Sequence, residues 1–184
     1  MQGAKIDTWG IGTKLITAYD QPTLGAVYKL VAIEDEDGQL VDTIKISNNV
    51  GKMSTPGKKQ VWRINDRADR KSEGDYITLV DEDPRNEKSL NMFNPNFPLQ
   101  QKDVEDFTAR PMLKPIWQDG KYVYNEPTLE ESRQHRFDSL NALWDEYKRD
   151  LNSEVYPVDL SQKCYDNKLK LIHQVHEYVK SLNK

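Results

Sequence analysis

Val27-Tyr28-Lys29-Leu30-Val31-Ala32-Ile33 is rich in strand-forming residues, and its reading decides the fold class. Asp37-Gly38 follows as a turn signal, and Val41 to Ser47 resumes with Ile44 and Ile46 at period two, so the pair is expected as a hairpin. Thr55-Pro56-Gly57 marks another turn before Gln60-Val61-Trp62-Arg63-Ile64, and a polar loop from Asn65 to Gly74 leads to Tyr76-Ile77-Thr78-Leu79-Val80. Four strands between Val27 and Val80 predict a small, twisted antiparallel sheet.

Upstream, Ile6, Trp9 and Ile11 outline a short strand from Ile6 to Trp9 that runs into Gly10-Ile11-Gly12-Thr13. Two glycines at a strand end suit a backbone that bends tightly or comes close to something. Leu15 and Ile16 begin one helical turn, which Gln21-Pro22 breaks. Downstream, Asp81 to Lys88 holds six charged residues and Pro84 and reads as a boundary, while Asn91 to Pro98 should run extended. Phe107 to Trp117 and Lys121 to Tyr124, split by Asp119-Gly120, predict a second hairpin, placed at a sheet edge by Pro111 and Pro115. The last third is helical. Thr128-Leu129-Glu130-Glu131 matches a capping box, and Leu140, Leu143, Trp144, Tyr147 and Leu151 recur at helical spacing. A second helix from about Ser161 carries Tyr165, Leu169, Ile172, Val175 and Val179 on one face, and the two faces are expected to pack together. Tyr156-Pro157-Val158 between them forces an extended link.

Leu, Ile, Val and Phe make up 42 of 184 residues, little above the roughly 20% below which chains stay disordered. A net charge of only −4 and 17 aromatic residues nevertheless indicate a folded, core-poor chain. No apolar run reaches the roughly 18 residues of a membrane span, and Met1-Gln2-Gly3-Ala4-Lys5 opens no signal peptide, so a cytoplasmic location is expected. The single cysteine, Cys164, precludes an internal disulfide and fits a reducing compartment. His173 and His176 share a helix face, but Cys164 is too far away to complete a zinc set, and His135 has no evident partner. Gly51 to Lys71 is +5 (Lys52, Lys58, Lys59, Arg63, Arg67, Arg70 and Lys71 against Asp66 and Asp69), which leaves −9 for the rest. Such a window is ordinarily a solvated face; its alternative use is binding phosphate or nucleic acid. Gly10-Ile11-Gly12-Thr13 is the best candidate site, because backbone N–H groups free of side chains, with a threonine hydroxyl added, suit a phosphate dianion.

Several blocks in order resemble one family. Lys5-Ile6-Asp7-Thr8-Trp9-Gly10-Ile11-Gly12-Thr13-Lys14-Leu15-Ile16-Thr17, Leu24 to Val31, Lys45-Ile46-Ser47 and Thr55 to Lys59 are similar to the C-terminal part of nicotinate phosphoribosyltransferases. So are Ala109 to Leu113, Pro127 to Glu131 and Tyr156-Pro157-Val158-Asp159-Leu160, with Ala26 standing where the family often has a second glycine. The resemblance implies an α+β chain in three parts. Residues 1–26 would hold a late strand of an α/β barrel and its phosphate loop, 27–88 an antiparallel β domain, and 89–184 a C-terminal α+β domain with a hairpin and two long helices. It also implies an enzyme of NAD biosynthesis, a glycosyltransferase and ligase, that makes nicotinate mononucleotide and diphosphate from nicotinate and phosphoribosyl diphosphate, coupled to ATP hydrolysis with magnesium. Gly10, Ile11, Gly12 and Thr13 would hold the sugar 5′-phosphate, where barrels commonly bind phosphate. The family's phosphorylated histidine and its nicotinate-contacting residues belong to the N-terminal part of the enzyme, and no histidine here stands in a matching motif. The chain is therefore expected to be a C-terminal portion, inactive alone, with no catalytic or metal-binding residue of its own. It is expected to lack membrane and nucleic-acid partners and to be prone to self-association.

Overall fold

The structure, a computed structural model, describes residues 5–8, 10–23 and 27–182. A four-residue helix α1 (Thr13–Ile16) precedes a short hairpin, β1 (Ala32–Glu34) and β2 (Leu40–Asp42). The turn is the expected one, with Gly38 at φ 77° and Asp35 Oδ1 accepting from the backbone N–H groups of Asp37 and Gln39. The strands β3 (Lys59–Asp66), β4 (Ser72–Leu79), β5 (Ser89–Asn94), β6 (Phe97–Glu105) and β7 (Phe107–Pro111) follow, then a miniature hairpin β8 (Trp117–Gln118) and β9 (Lys121–Tyr122). Helix α2 (Leu129–Ala142), strand β10 (Val158–Leu160) and helix α3 (Gln162–Leu182) complete the chain. No helix among the described residues is long and apolar enough to cross a membrane.

The main sheet runs β6-β5-β10-β4-β3-β7. Its two outer strands are consecutive in sequence, joined by Asp106 alone at φ 47°. Laid flat, those edges would lie about 24 Å apart, five strand spacings of about 4.8 Å, and one residue reaches only about 3.5 Å. The sheet must therefore roll. Trp62, Ile64, Tyr76, Leu90, Met92, Val104 and Phe107, drawn from β3 to β7, fill the inside, with the Trp62 Nε1–H donating to Thr78 Oγ1 at 3.0 Å. Outside, Phe93, Leu160 and Cys164 form a second cluster with Ile77, Leu79 and Tyr165, where α3 lies against the sheet. Strand β10 returns after the long 112–157 excursion to enter between β4, parallel, and β5, antiparallel. Its entry requires Gly74 (φ 141°): a Cβ there would sit 3.1 Å from both Pro157 and Met92.

Several expectations are corrected. The strand over 27–33 shrinks to Ala32–Glu34, and the second arm to Leu40–Asp42, because Val27, Tyr28 and Leu30 are 80%, 100% and 59% exposed and no neighbour covers them. That hairpin forms its own two-stranded sheet, so the four strands do not share one. Lys5–Thr8 adopt no strand, and Trp9, the end of the expected strand, lies outside the described residues. The segment 81–88, expected as a boundary, is a connection with a 3₁₀ turn (Pro84–Asn86) between two strands of one sheet. Of the expected hairpin over 107–124, the first half is β7, which pairs with β3 as a sheet edge, and only 117–122 forms a hairpin. The capping box is present, with Thr128 Oγ1 accepting from the Glu131 N–H and Glu131 Oε2 from the Thr128 N–H. Helix α2, however, ends at Ala142, because the backbone of Leu143 turns extended (ψ 145°), so the apolar series to Leu151 is broken and α2 buries no residue. The main support of α3 is β4 rather than α2. The extended link over 156–158 is the approach to and start of a central strand.

Candidate functional site

Gly12 caps α1 at φ −123°, and its carbonyl accepts from the N–H groups of Leu15 (3.0 Å) and Ile16 (3.3 Å). Those of Ile11, Gly12, Thr13 and Lys14 meet no protein acceptor among the described residues, as expected for the first turn of a helix. Thr17 Oγ1–H donates to Thr13 O at 2.8 Å and fixes the far end of the turn. Neither glycine is in the left-handed region, and a Cβ on Gly10 or Gly12 would meet nothing within 4 Å. Packing within the described chain therefore does not explain the glycines. Residues Gly10 to Thr13 are all exposed, an irregular segment that ends in the first residue of α1.

The basic window behaves differently. Lys59 Nζ donates to Thr55 O (2.7 Å), Pro56 O (3.2 Å) and Gly57 O, and burial lowers its pKa. Arg63 forms a bidentate pair with Asp75 (2.9 and 3.1 Å) and lies 5.5 Å from the Tyr156 ring. Arg67 binds Asp106 and Phe107 O, and Lys71 donates to Asn141 O and Leu143 O. Four of the seven cations thus hold the chain together, leaving Lys52, Lys58 and Arg70 as a dispersed remainder, a poor phosphate-tracking surface.

The polar cluster around Arg63 escaped sequence reasoning. Tyr156 O–H donates to Asp75 Oδ1 (3.2 Å) and lies 2.5 Å from Ser72 Oγ, and burial raises its pKa. Ser161, just before α3, accepts from the Cys164 N–H and donates to Glu82 Oε2 at 2.8 Å. Cys164 itself is fully buried, its thiol pushed up to about 11 by burial. His135 lies beside a cleft with Arg110 and Lys114, while His173 and His176 are on the exposed part of α3. No group of three His, Cys, Asp or Glu side chains converges among the described residues to hold a metal.

The fold and these sites define a mixed α+β domain around a rolled sheet, with an open glycine turn ahead of it. The profile of the nicotinate phosphoribosyltransferase C-terminal domain matches residues 58–168, and the chain belongs to that family. It is 53% identical over 174 residues to the nicotinate phosphoribosyltransferase of Bacillus subtilis (strain 168), covering 95% of this chain and 35% of the relative. The Caenorhabditis elegans nicotinate phosphoribosyltransferase is 31% identical over 166 residues, 89% of this chain and 28% of that one. The crystal structure of human nicotinic acid phosphoribosyltransferase matches in fold with a TM-score of 0.56 at 24% identity, over 66% of this chain and 23% of that one. The chain thus spans about a third of the length of these relatives. Every residue buried among those described lies between Ser54 and Cys164, nearly the stretch the family profile matches.

Proposed function

We propose that this chain is the C-terminal part of a cytoplasmic nicotinate phosphoribosyltransferase, which joins nicotinate to phosphoribosyl diphosphate, yielding nicotinate mononucleotide and diphosphate in NAD biosynthesis. The observation that carries this reading is 53% identity extending over 95% of the chain. In this role residues 1–26 complete a barrel, and Gly10, Ile11, Gly12 and Thr13 present N–H groups and a hydroxyl to the 5′-phosphate. Their part is to hold the sugar while the ring nitrogen attacks its anomeric carbon, with no proton transferred by the loop. Glycine at 10 and 12 then has a reason: only a bare backbone lets the phosphate approach. ATP supplies the driving force in this reading. Magnesium, usually held by one or two carboxylates together with substrate phosphates, would act with ATP in the intact enzyme.

The test is Thr13→Val in the full-length enzyme that carries this chain. Losing a hydroxyl bonded to a dianion removes about 1.5–3 kcal/mol, so KM for phosphoribosyl diphosphate should rise about 10- to 100-fold with nicotinate KM little changed. Unaltered kinetics would remove Thr13 from the site. The 184-residue chain alone should form no nicotinate mononucleotide, and product from chain free of host enzyme would overturn its assignment as a part of the catalyst.

A further inference from the structure

Among the described residues Asp159 is the only buried charged side chain, 6% exposed, and its place is unusual. It pairs in register with Tyr76 on the parallel neighbour β4, and adjacent registered residues share a face of the sheet, so Asp159 lies on the inner side with Tyr76 and Met92. Its strand neighbour Leu160 packs on the outer side with Phe93. No donor among the described residues hydrogen-bonds its carboxylate, and Lys102, the nearest influential cation, gives its own ammonium to Glu73 O (2.6 Å) and Glu73 Oε2 (2.7 Å). The carboxylate oxygens are not sealed off, since Thr43 Oγ1 is the one fully buried polar side-chain atom without a partner among the described residues; they open onto the cleft, where a donor can reach them.

Asp159 lines a cleft of about 480 Å³ between the ends of β5 and β6 and the 154–158 approach to β10. Glu154 lines it too, with Asn94, Gln100 and Gln101, whose side-chain amides each carry a carbonyl that can accept. With Lys102 balanced by Glu73, the lining carries surplus negative charge. We propose that this cleft binds a cationic nitrogen group, a guanidinium or an alkylammonium, with the Asp159 carboxylate as its counter-ion and the surrounding carbonyls as acceptors. The group comes either from a small organic cation or from a basic side chain of polypeptide outside these 184 residues. A guanidinium suits the site well, because its flat fork donates to a carboxylate and to neighbouring carbonyls at once. The proposal is independent of the transferase reading and uses none of the glycine turn.

The probe is butylguanidinium, with butylurea as its uncharged counterpart, titrated into the 184-residue chain while the methyl signal of Met92 and the heat of binding are followed. Saturable binding of butylguanidinium, with the Met92 methyl shifting and butylurea at least tenfold weaker, is expected. Asp159→Asn, which keeps the side-chain shape, should weaken it at least tenfold. Glu154→Gln should weaken it a few-fold, and Asp83→Asn, outside the cleft, should leave it unchanged. Absence of saturable binding to the unaltered chain, equal binding of butylurea, or full affinity in a folded Asp159→Asn variant would overturn the proposal. If that variant fails to fold, the comparison of the two ligands on the unaltered chain decides alone. Repeating the titration in a full-length enzyme separates the sources. Binding retained there supports a free cation, and binding blocked there supports a basic side chain already seated against Asp159.

Discussion

Replacing Arg63 by methionine tests whether the outer polar cluster fastens the return of the chain to the sheet. The Arg63–Asp75 pair joins registered residues of β3 and β4, with side chains only 20% and 16% exposed. Tyr156 adds its hydroxyl to Asp75 and stacks edge-on against Tyr147 at 5.4 Å, while the Asp75 N–H donates to Pro157 O at 3.0 Å. A fully buried pair costs about 3–5 kcal/mol to break, and a surface pair is worth about 0–1. For a pair four-fifths buried and bidentate, we expect Arg63→Met to cost about 2–3 kcal/mol. For a chain of this size each kcal/mol lowers Tm by about 2–4 °C, so the drop should be about 4–12 °C. Urea unfolding gives the free energy, and amide exchange should show protection lost over 144–157 before the rest. Arg63→Lys keeps charge but not the fork and should fall between. In the cycle with Asp75→Asn the coupling should exceed about 1 kcal/mol. A loss within about 0.5 kcal/mol, the range of an ordinary surface substitution, or strict additivity, would refute the fastening role.

Burial raises the Asp159 carboxyl above its unfolded value. The penalty is therefore absent below about pH 4, where both states are protonated, and grows as pH rises through the folded pKa, so Asp159→Asn should raise Tm at pH 7 and the gain should vanish near pH 4; a gain independent of pH would contradict this. With its pKa near 11, Cys164 is about 0.1% thiolate at pH 8, so a thiol reagent should modify native protein only at the unfolding rate, and fast reaction without denaturant would contradict its burial. Thr128→Ala should cost α2 about 1 kcal/mol, seen as faster amide exchange in its first turn with little change in global Tm, since α2 buries no residue. The described residues that truncation after Ile172 removes are all exposed, Val175, Val179 and Leu182 among them, so it should spare the melt while lowering self-association in light scattering.

What could be read from sequence was whatever local chemistry decides. The Asp37-Gly38 turn, the Thr128 capping box, α3 and the edge position of β7 rest on contacts a few residues apart or on proline's missing donor. The run from Val27 to Leu30 misled because strand propensity measures fit to a covered pleat, and nothing covers these residues here. Strand β6 escaped because Gln100, Gln101, Lys102 and Asp103 carry no strand-forming signal, as polar edge strands often do not. β10 escaped because three residues gain their partners only from β4 and β5, some 65 to 85 positions away. The glycine segment was legible as a motif, and it leads directly into the first turn of α1. Asp159 was not, because only the sheet register tells that the acid between Val158 and Leu160 faces inward.

The distribution of burial separates what holds this chain together from what it offers to other surfaces. From Ser54 to Cys164 apolar side chains close on one another inside and outside a rolled sheet, and four of the seven cations in the basic window are spent on internal carbonyls and carboxylates. On either side, large apolar residues stand in the open: Leu15 and Ile16 at 66% and 84%, Tyr28 at 100%, Tyr178 and Leu182 at 64% and 66%. Exposed apolar surface of this kind is available for contact with other polypeptide. Leu15 and Ile16 of α1 directly follow the glycine segment, so under the proposed function a surface that covers them also borders the phosphate and displaces water from around it, which strengthens a charge contact. Under that reading, phosphate binding at Gly10 to Thr13 and burial of Leu15 and Ile16 should be coupled: phosphoribosyl diphosphate titrated by calorimetry should bind the full-length enzyme far more tightly than the isolated chain, and equal affinities would refute the coupling.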